Sequence, residues 1–322
     1  MLLPDIALKN SITLLFLSFF LFISCDHKHK EYAKGVLFYS GFPHERELIG
    51  EVIELDTALL RYPFRIRIEG DRVIVMDLHG LDHYGHLFQY PSYQYLSSFG
   101  KRGDSLLRDE TVTLDEDILR PLDFAIYNDS MFIIPDYSGE NRLCRVNCNG
   151  KLIDKIGIIP TIDEKALENA RPALAQAWRS FLDYNPNNGI LAVVTQLGEV
   201  LEVYNLKDST HIIRIGEHGE PEFKVSDGYG MPTGIMGFSD VQVTDSAIYT
   251  VFHGTSFKEI ARQSGRLPDG GKYIYVFSLK GEPLCKYVLD HYIYGIWVDE
   301  DTKTIIATDV NDDQPIVMFS IK

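Results

Sequence analysis

The sequence is short of several things that would identify a protein quickly. Among 322 residues there are 2 Trp and 4 Cys, and 31 Lys and Arg stand against 46 Asp and Glu. The deficit of cations leaves a net charge of −15, and a surface of that sign repels a phosphate backbone, which argues against a nucleic-acid partner. Neither Gly-x-Ser-x-Gly nor His-Glu-x-x-His occurs, so the nucleophile elbow and the helical zinc-protease motif are both missing. With 45% apolar and 24% charged residues the chain also lacks the bias of a collagen, a coiled coil or a disordered segment.

No long apolar run marks a membrane span either. Residues 12–24 (ITLLFLSFFLFIS) form a run of 13, whereas a spanning helix needs about 20. A run of that length, ending at Cys25 and followed by the polar residues 26–31, has the proportions of a signal-peptide core. A small residue, Ser24, stands directly before Cys25, so the segment resembles a bacterial lipoprotein signal in which the Cys is acylated and becomes the mature N-terminus. The alternative is an ordinary signal peptide whose boundary happens to carry a Cys. The lipoprotein reading implies a chain exported and lipid-anchored to the cell envelope, on its periplasmic or surface side, because paired acyl chains give stable attachment. With Cys25 taken by lipid, Cys144, Cys148 and Cys285 allow at most one disulfide.

What the rest of the chain has is repetition. FRIRIEGDRVIVMD (64–77), LDFAIYNDSMFIIPD (122–136), FLDYNPNNGILAVVT (181–195), SDVQVTDSAIYTVFHG (239–254) and YGIWVDEDTKTIIATD (294–309) each read as two β-rich runs around a turn of Asp, Asn or Gly. The turn residues Asp71, Asp129, Asn188, Asp245 and Asp301 are spaced 58, 59, 57 and 56 apart, as expected of an array of one supersecondary unit. A third strand follows each pair, and in three copies it runs on through Asn149-Gly150, Lys207-Asp208 or Lys280-Gly281 into a fourth. The last copy runs out of chain at Lys322, and the unpartnered alternating stretch 51–55 (EVIEL) can supply its missing strand. The expectation is an all-β propeller of four-stranded blades, closed by joining its two termini in one blade, which leaves no open ring edge. Its organisation is a leader (1–24), an acylated Cys with a polar tether (25–35) and one propeller domain (36–322).

The order of these strands, the stretch Ser98-Phe99-Gly100-Lys101-Arg102-Gly103 after the first unit and the lipoprotein start resemble the TolB-like, six-bladed-propeller-type lipoproteins of Bacteroidetes. So do Asp240-Val241-Gln242-Val243-Thr244-Asp245, the run Tyr273-Ile274-Tyr275-Val276-Phe277 with Lys280-Gly281, and residues 305–321. Asp104-Ser105-Leu106-Leu107 stands where such proteins often carry a Gly-Pro-Gly-Glu-like stretch. The resemblance implies six blades and no defined reaction. The repeats count five, since one period before Asp71 falls inside the leader.

Between the repeats, Thr161 to Glu164 reads as a capping box that opens a helix, with Pro172 splitting the segment into two short helices. His79, His83 and His86 gather on one Gly-containing loop and are candidate ligand contacts, as is Tyr229 in the glycine-rich stretch 228–234. Asp77, Asp136 and Asp309 each follow the second strand of a repeat. Converging on the axis about 5 to 10 Å apart, they would suit glycan cleavage; otherwise they cap strand ends. No metal or cofactor is expected, and the reading favoured is a non-catalytic binding or scaffolding propeller for a glycan, peptide or envelope protein. The anchor is directly testable: mass spectrometry of the mature N-terminus is expected to find acylated Cys25, and Cys25→Ser to release the chain from the membrane fraction. Unmodified Cys25, or cleavage elsewhere, overturns it.

Overall fold

The computed structural model describes residues 35–55, 60–102, 112–119, 121–263 and 267–321. The leader and Cys25 lie outside them. No helix among the described residues is long and apolar enough to cross a membrane.

Five four-stranded antiparallel blades follow one another along the chain and form a ring. The first is Pro63–Glu69, Arg72–Asp77, His83–Gln89 and Tyr95–Lys101; the second is Ala125–Asn128, Met131–Pro135, Leu143–Asn147 and Leu152–Ile156. The third is Ser180–Asn185, Ile190–Thr195, Val200–Asn205 and Thr210–Ile215; the fourth is Phe238–Val243, Ala247–Phe252, Gly271–Ser278 and Pro283–Ile293. The fifth has Ile296–Asp299, Thr304–Thr308 and Ile316–Ser320 from the end of the chain, and Gly50–Ile53 from its start. The repeat count therefore holds at five, and the sixth blade that the resemblance implied is not formed among the described residues. The closing strand begins one residue earlier than expected and pairs antiparallel, Gly50 with Phe319 and Ile53 with Ile316.

The turns form where the spacing predicts, because a short polar side chain at the strand exit accepts an N–H two residues on. Asn128 does so for Ser130 at 3.0 Å, Asn205 for Lys207 at 2.9 Å and Asp299 for Asp301 at 2.9 Å. Alternate residues of each blade then pack on the next. Ile66, Val73, Val75 and Phe88 of the first blade meet Ile306 and Ile316 of the fifth, and the seams between blades two and three, three and four, and four and five are closed the same way. The seam between blades one and two differs. No buried apolar cluster spans it among the described residues. The face of blade two turned away from blade three packs instead on Leu114 and Ile118, and Phe124 and Ile126 remain exposed.

Polar groups hold the axis. Asp123 accepts the N–H of Leu182 at 3.0 Å, Asp183 that of Val243 at 2.7 Å and Asp240 that of Ile296 at 2.9 Å, so the lead-in to blade two and the inner strands of blades three and four are each tied to the next blade by a carboxylate. Arg65 pairs with Asp123 and reaches Asp240 at 3.3 Å, while Arg67 grips both oxygens of Asp240 at 3.0 and 2.9 Å. Burial alone would raise the Asp240 carboxyl, but Arg67 and Arg65 outweigh it and hold the group below its ordinary range.

The first residues of the propeller do more than close the ring. Val36–Phe38 adds a parallel fifth strand outside Thr210–Ile215 of blade three, and Glu45–Leu48 adds another outside Pro283–Ile293 of blade four. One segment thus covers two outer edges before it completes the fifth blade, a covering that the sequence pattern did not suggest. Between blades two and three lie the helices Glu164–Asn169 and Arg171–Ala177, split near Pro172 as expected. The cap is Asp163, whose side chain accepts from Ala166, and not Thr161, which donates to Glu220 at 2.5 Å. The stretch holding Tyr229 is a hairpin, Phe223–Ser226 with Tyr229–Pro232. It lies so close to the second helix that a Cβ on Gly230 would sit 2.4 Å from the Ala173 carbonyl oxygen.

The axial pair carries a prediction. Arg67→Ala leaves Asp240 buried with only Arg65 near it and is expected to cost about 3 kcal/mol in chemical denaturation. Arg67→Met combined with Asp240→Asn is expected to cost less than the two single changes added together. Additive losses would show that the two side chains act independently.

Candidate functional site

Asp77, Asp136 and Asp309 end the second strands of blades one, two and five. The structure turns each carboxylate onto its own loop. Asp77 accepts the N–H groups of Arg61, Tyr62 and His79 at 2.8, 2.9 and 3.0 Å. Asp136 accepts from the backbone and hydroxyl of Ser138, both at 2.9 Å, and pairs with Lys155 at 3.1 Å. Asp309 accepts from the backbone and side chain of Asn311 at 2.9 and 2.8 Å.

Blade three departs from this pattern, with Gln196 after its second strand, and blade four departs from it as well. After its second strand, Ala247–Phe252, the position that carries Asp in those three blades is His253. Its ring is 8% exposed, and its Nε2 has no hydrogen-bond partner. Burial holds the imidazole down to about pKa 4, against a smaller upward pull from Asp269, so it is neutral at pH 7.

His253 forms part of the wall of two adjoining cavities, of about 500 and 340 Å³. The larger is a cleft between blades three and four, roofed by the N-terminal segment at Gly41, Phe42 and Glu45 and flanked by the short helix Phe257–Arg262. A capping box fixes that helix, with Ser256 and Glu259 bonded reciprocally at 3.1 and 2.8 Å. On the blade-three side Glu199, nearly fully buried, accepts the Tyr39 hydroxyl at 2.8 Å on one oxygen. Its other oxygen takes the His218 backbone N–H at 3.1 Å and lies 2.7 Å from His218 Nδ1. The carboxylate therefore orients the ring and leaves the opposite nitrogen, Nε2, for solvent or a ligand. On the blade-four side Phe252 stacks on Tyr275 at 4.6 Å, Phe42 leans on Tyr275 at 4.5 Å, and the Lys286 ammonium lies 4.8 Å over Tyr273 while pairing with Glu45 at 3.0 Å.

The residues singled out from the sequence sit elsewhere. His79 is exposed beside Tyr62, and His86 is buried inside blade one, bonded to Ser98 at 2.9 Å and 4.0 Å from Asp77. His83 opens the third strand of that blade, and Tyr229 is exposed on its hairpin. None of these, and none of the three Asp residues, lines either cavity. Among the described residues, no group of three or more His, Cys, Asp and Glu side chains is placed to hold a metal ion. Cys144, Cys148 and Cys285 are free thiols. The repeat alignment held one signal that would have found the cleft, namely the blade in which His replaces Asp.

The buried imidazole makes stability depend on pH. In the unfolded chain the group titrates near pH 6.5 and in the folded chain near 4, so between these values the unfolded state binds the extra proton. The contribution is intact above pH 6.5 and is lost as pH falls toward 4, by up to roughly 3 kcal/mol. His253→Gln is expected to flatten the loss of stability across that window in denaturant titrations. An unchanged slope would place the titration on other groups.

Several solved structures resemble this chain at low identity. A crystal structure of a Bacteroides fragilis protein named as exported is similar at 9% identity and a TM-score of 0.48, over 88% of this chain and 99% of that one. The glutaminyl cyclase of Myxococcus xanthus is similar at 10% identity and a TM-score of 0.41, over 86% and 97%. The Pan2 WD40 domain of Neurospora crassa is similar at 12% identity and a TM-score of 0.35, over 79% of this chain. This chain spans 63% of that protein's length. No curated protein matches the sequence. The family described as TolB-like 6-blade propeller-like matches residues 42–106 and 104–301, and the chain belongs to that family, with five blades in its ring.

Proposed function

We propose that this protein is a binding propeller of the cell envelope, exported and anchored through acylated Cys25, which takes its ligand in the cleft between blades three and four without transforming it. The observation that carries the reading is His253: a neutral, buried imidazole with an unpartnered nitrogen in the wall of a cleft of about 500 Å³. An unmet hydrogen bond at such depth is costly, and a ligand group that meets it recovers the cost. The leader and the Cys25 boundary support export and anchoring. The candidate ligands are a glycan, a peptide or an envelope protein.

A glycan-cleaving enzyme is the other reading of the sequence, with Asp77, Asp136 or Asp309 as its carboxylates. The bonds those groups make to their own loops favour the binding role. A carboxylate-oriented His is also how a general base is held, so turnover is assayed beside binding. The experiment is a glycan and peptide binding screen on the full chain in a neutral detergent, with a hydrolysis assay on the same panel. Saturable binding that His253→Gln weakens, without turnover, is the expected outcome. Turnover lost on Asp→Asn changes at 77, 136 or 309 would overturn the proposal.

A further inference from the structure

The chemistry of the cleft narrows the ligand, given that the cleft is the binding site. Four carboxylates, Glu45, Glu199, Glu217 and Glu259, line it against one ammonium, Lys286. Three of the four are engaged within the protein: Glu45 by Lys286, Glu199 by Tyr39 and His218, and Glu259 by the helix cap. Glu217 makes no hydrogen bond or ion pair among the described residues, so its charge is available at the rim. Negative charge here acts on its surroundings. The phenols of Tyr39 and Tyr275 are pushed upward first by burial and then by Glu199, with Glu217 and Glu45 adding to the effect on Tyr275. A recess with low-dielectric walls focuses such a field.

The walls are aromatic as well as acidic. Phe42 and Tyr273 are partly exposed in the cleft, over the buried stack of Phe252 on Tyr275, and the protein already seats one ammonium there, with Lys286 held between the Glu45 carboxylate and the Tyr273 ring. A cation gains from a ring face and from a carboxylate at once. The second, independent feature is His253, whose side chain lines the same wall and whose Nε2, shielded from solvent, has no partner. Being neutral at pH 7, it does not repel a cation, and in the tautomer with its proton on Nδ1 it accepts an N–H.

We infer that the cleft binds an organic cation: an ammonium on an apolar stem, with the charge at Glu217 and His253 and the stem against Phe42 and Tyr273. A second ammonium beside the one that Lys286 supplies leaves the four carboxylates still in excess.

Benzylamine, benzyl alcohol and benzoate test this as probes of nearly one shape and three charges, titrated calorimetrically into the full chain in a neutral detergent. Benzylamine is expected to bind saturably, benzyl alcohol at least tenfold more weakly and benzoate not at all. Glu217→Gln, an exposed change whose fold is checked by its melting curve, is expected to weaken benzylamine about tenfold and leave benzyl alcohol unaffected. Equal binding of alcohol and amine, preferred binding of benzoate, or an unchanged Glu217→Gln overturns the inference. If benzylamine fails while a glycan or peptide from the screen binds and is weakened by His253→Gln, the cation inference falls and the binding role stands. If no member of either panel binds, both fall.

Discussion

The ring is organised around charge that has no water to face. Asp240 is fully buried at the axis, and it is compatible with folding only because Arg65 and Arg67 reach it from blade one and the Ile296 N–H reaches it from blade five. An ion pair in such a place returns little net stability, since both partners are desolvated; breaking it leaves a bare charge in the interior. Its effect falls on geometry. Two arginines on one inner strand must arrive at Asp123 and Asp240, on blades two and four, so the inner strands share one arrangement about the axis. Where blades one and two lack a shared apolar cluster among the described residues, the Arg65–Asp123 pair is a contact that joins them.

The same economy links the outer edge to the cleft. The segment that completes blade five first runs along blades three and four, and on the way it lays Tyr39 on Glu199 and Phe42 on Tyr275. Glu199 in turn orients His218. Ring closure and the shape of the cleft are therefore built from one stretch of chain, and loosening the parallel strands Val36–Phe38 or Glu45–Leu48 would open the wall as well as expose two sheet edges. A seam between blades is also where side chains from several sequence regions meet without any local motif. That is why a cleft there escapes a search for motifs.

Much of the architecture was legible in the residues. The period near 57 follows from turns that need Asp, Asn or Gly, and the alternating or continuous apolar runs follow from strands that bury one face or, as in Ile190–Thr195 and Ala247–Phe252, both, so blade number, hairpins and terminal closure could be read directly. The site was not. The His cluster at 79, 83 and 86 looked dense in sequence, yet the His86 ring went into the interior from its strand while His79, in the loop before that strand, stayed at the surface. Asp77, Asp136 and Asp309 were equally visible, but no local pattern tells a carboxylate that caps a loop from one that faces a cavity.

By itself, then, the sequence determined the all-β repeat, the turns and which strand would complete the last blade, since these depend on local backbone preference and on alternating or continuous apolar strand patterns. Only the tertiary structure decided that the stretch before Gly50 would line two outer edges, that three aspartates and two arginines would meet on the axis, and that Glu199, Glu217 and His253 would share one cleft. The physical reason is the same in each case: those contacts join residues tens to hundreds of positions apart. Their partners are chosen by how five twisted blades pack, which no local stretch of chain encodes.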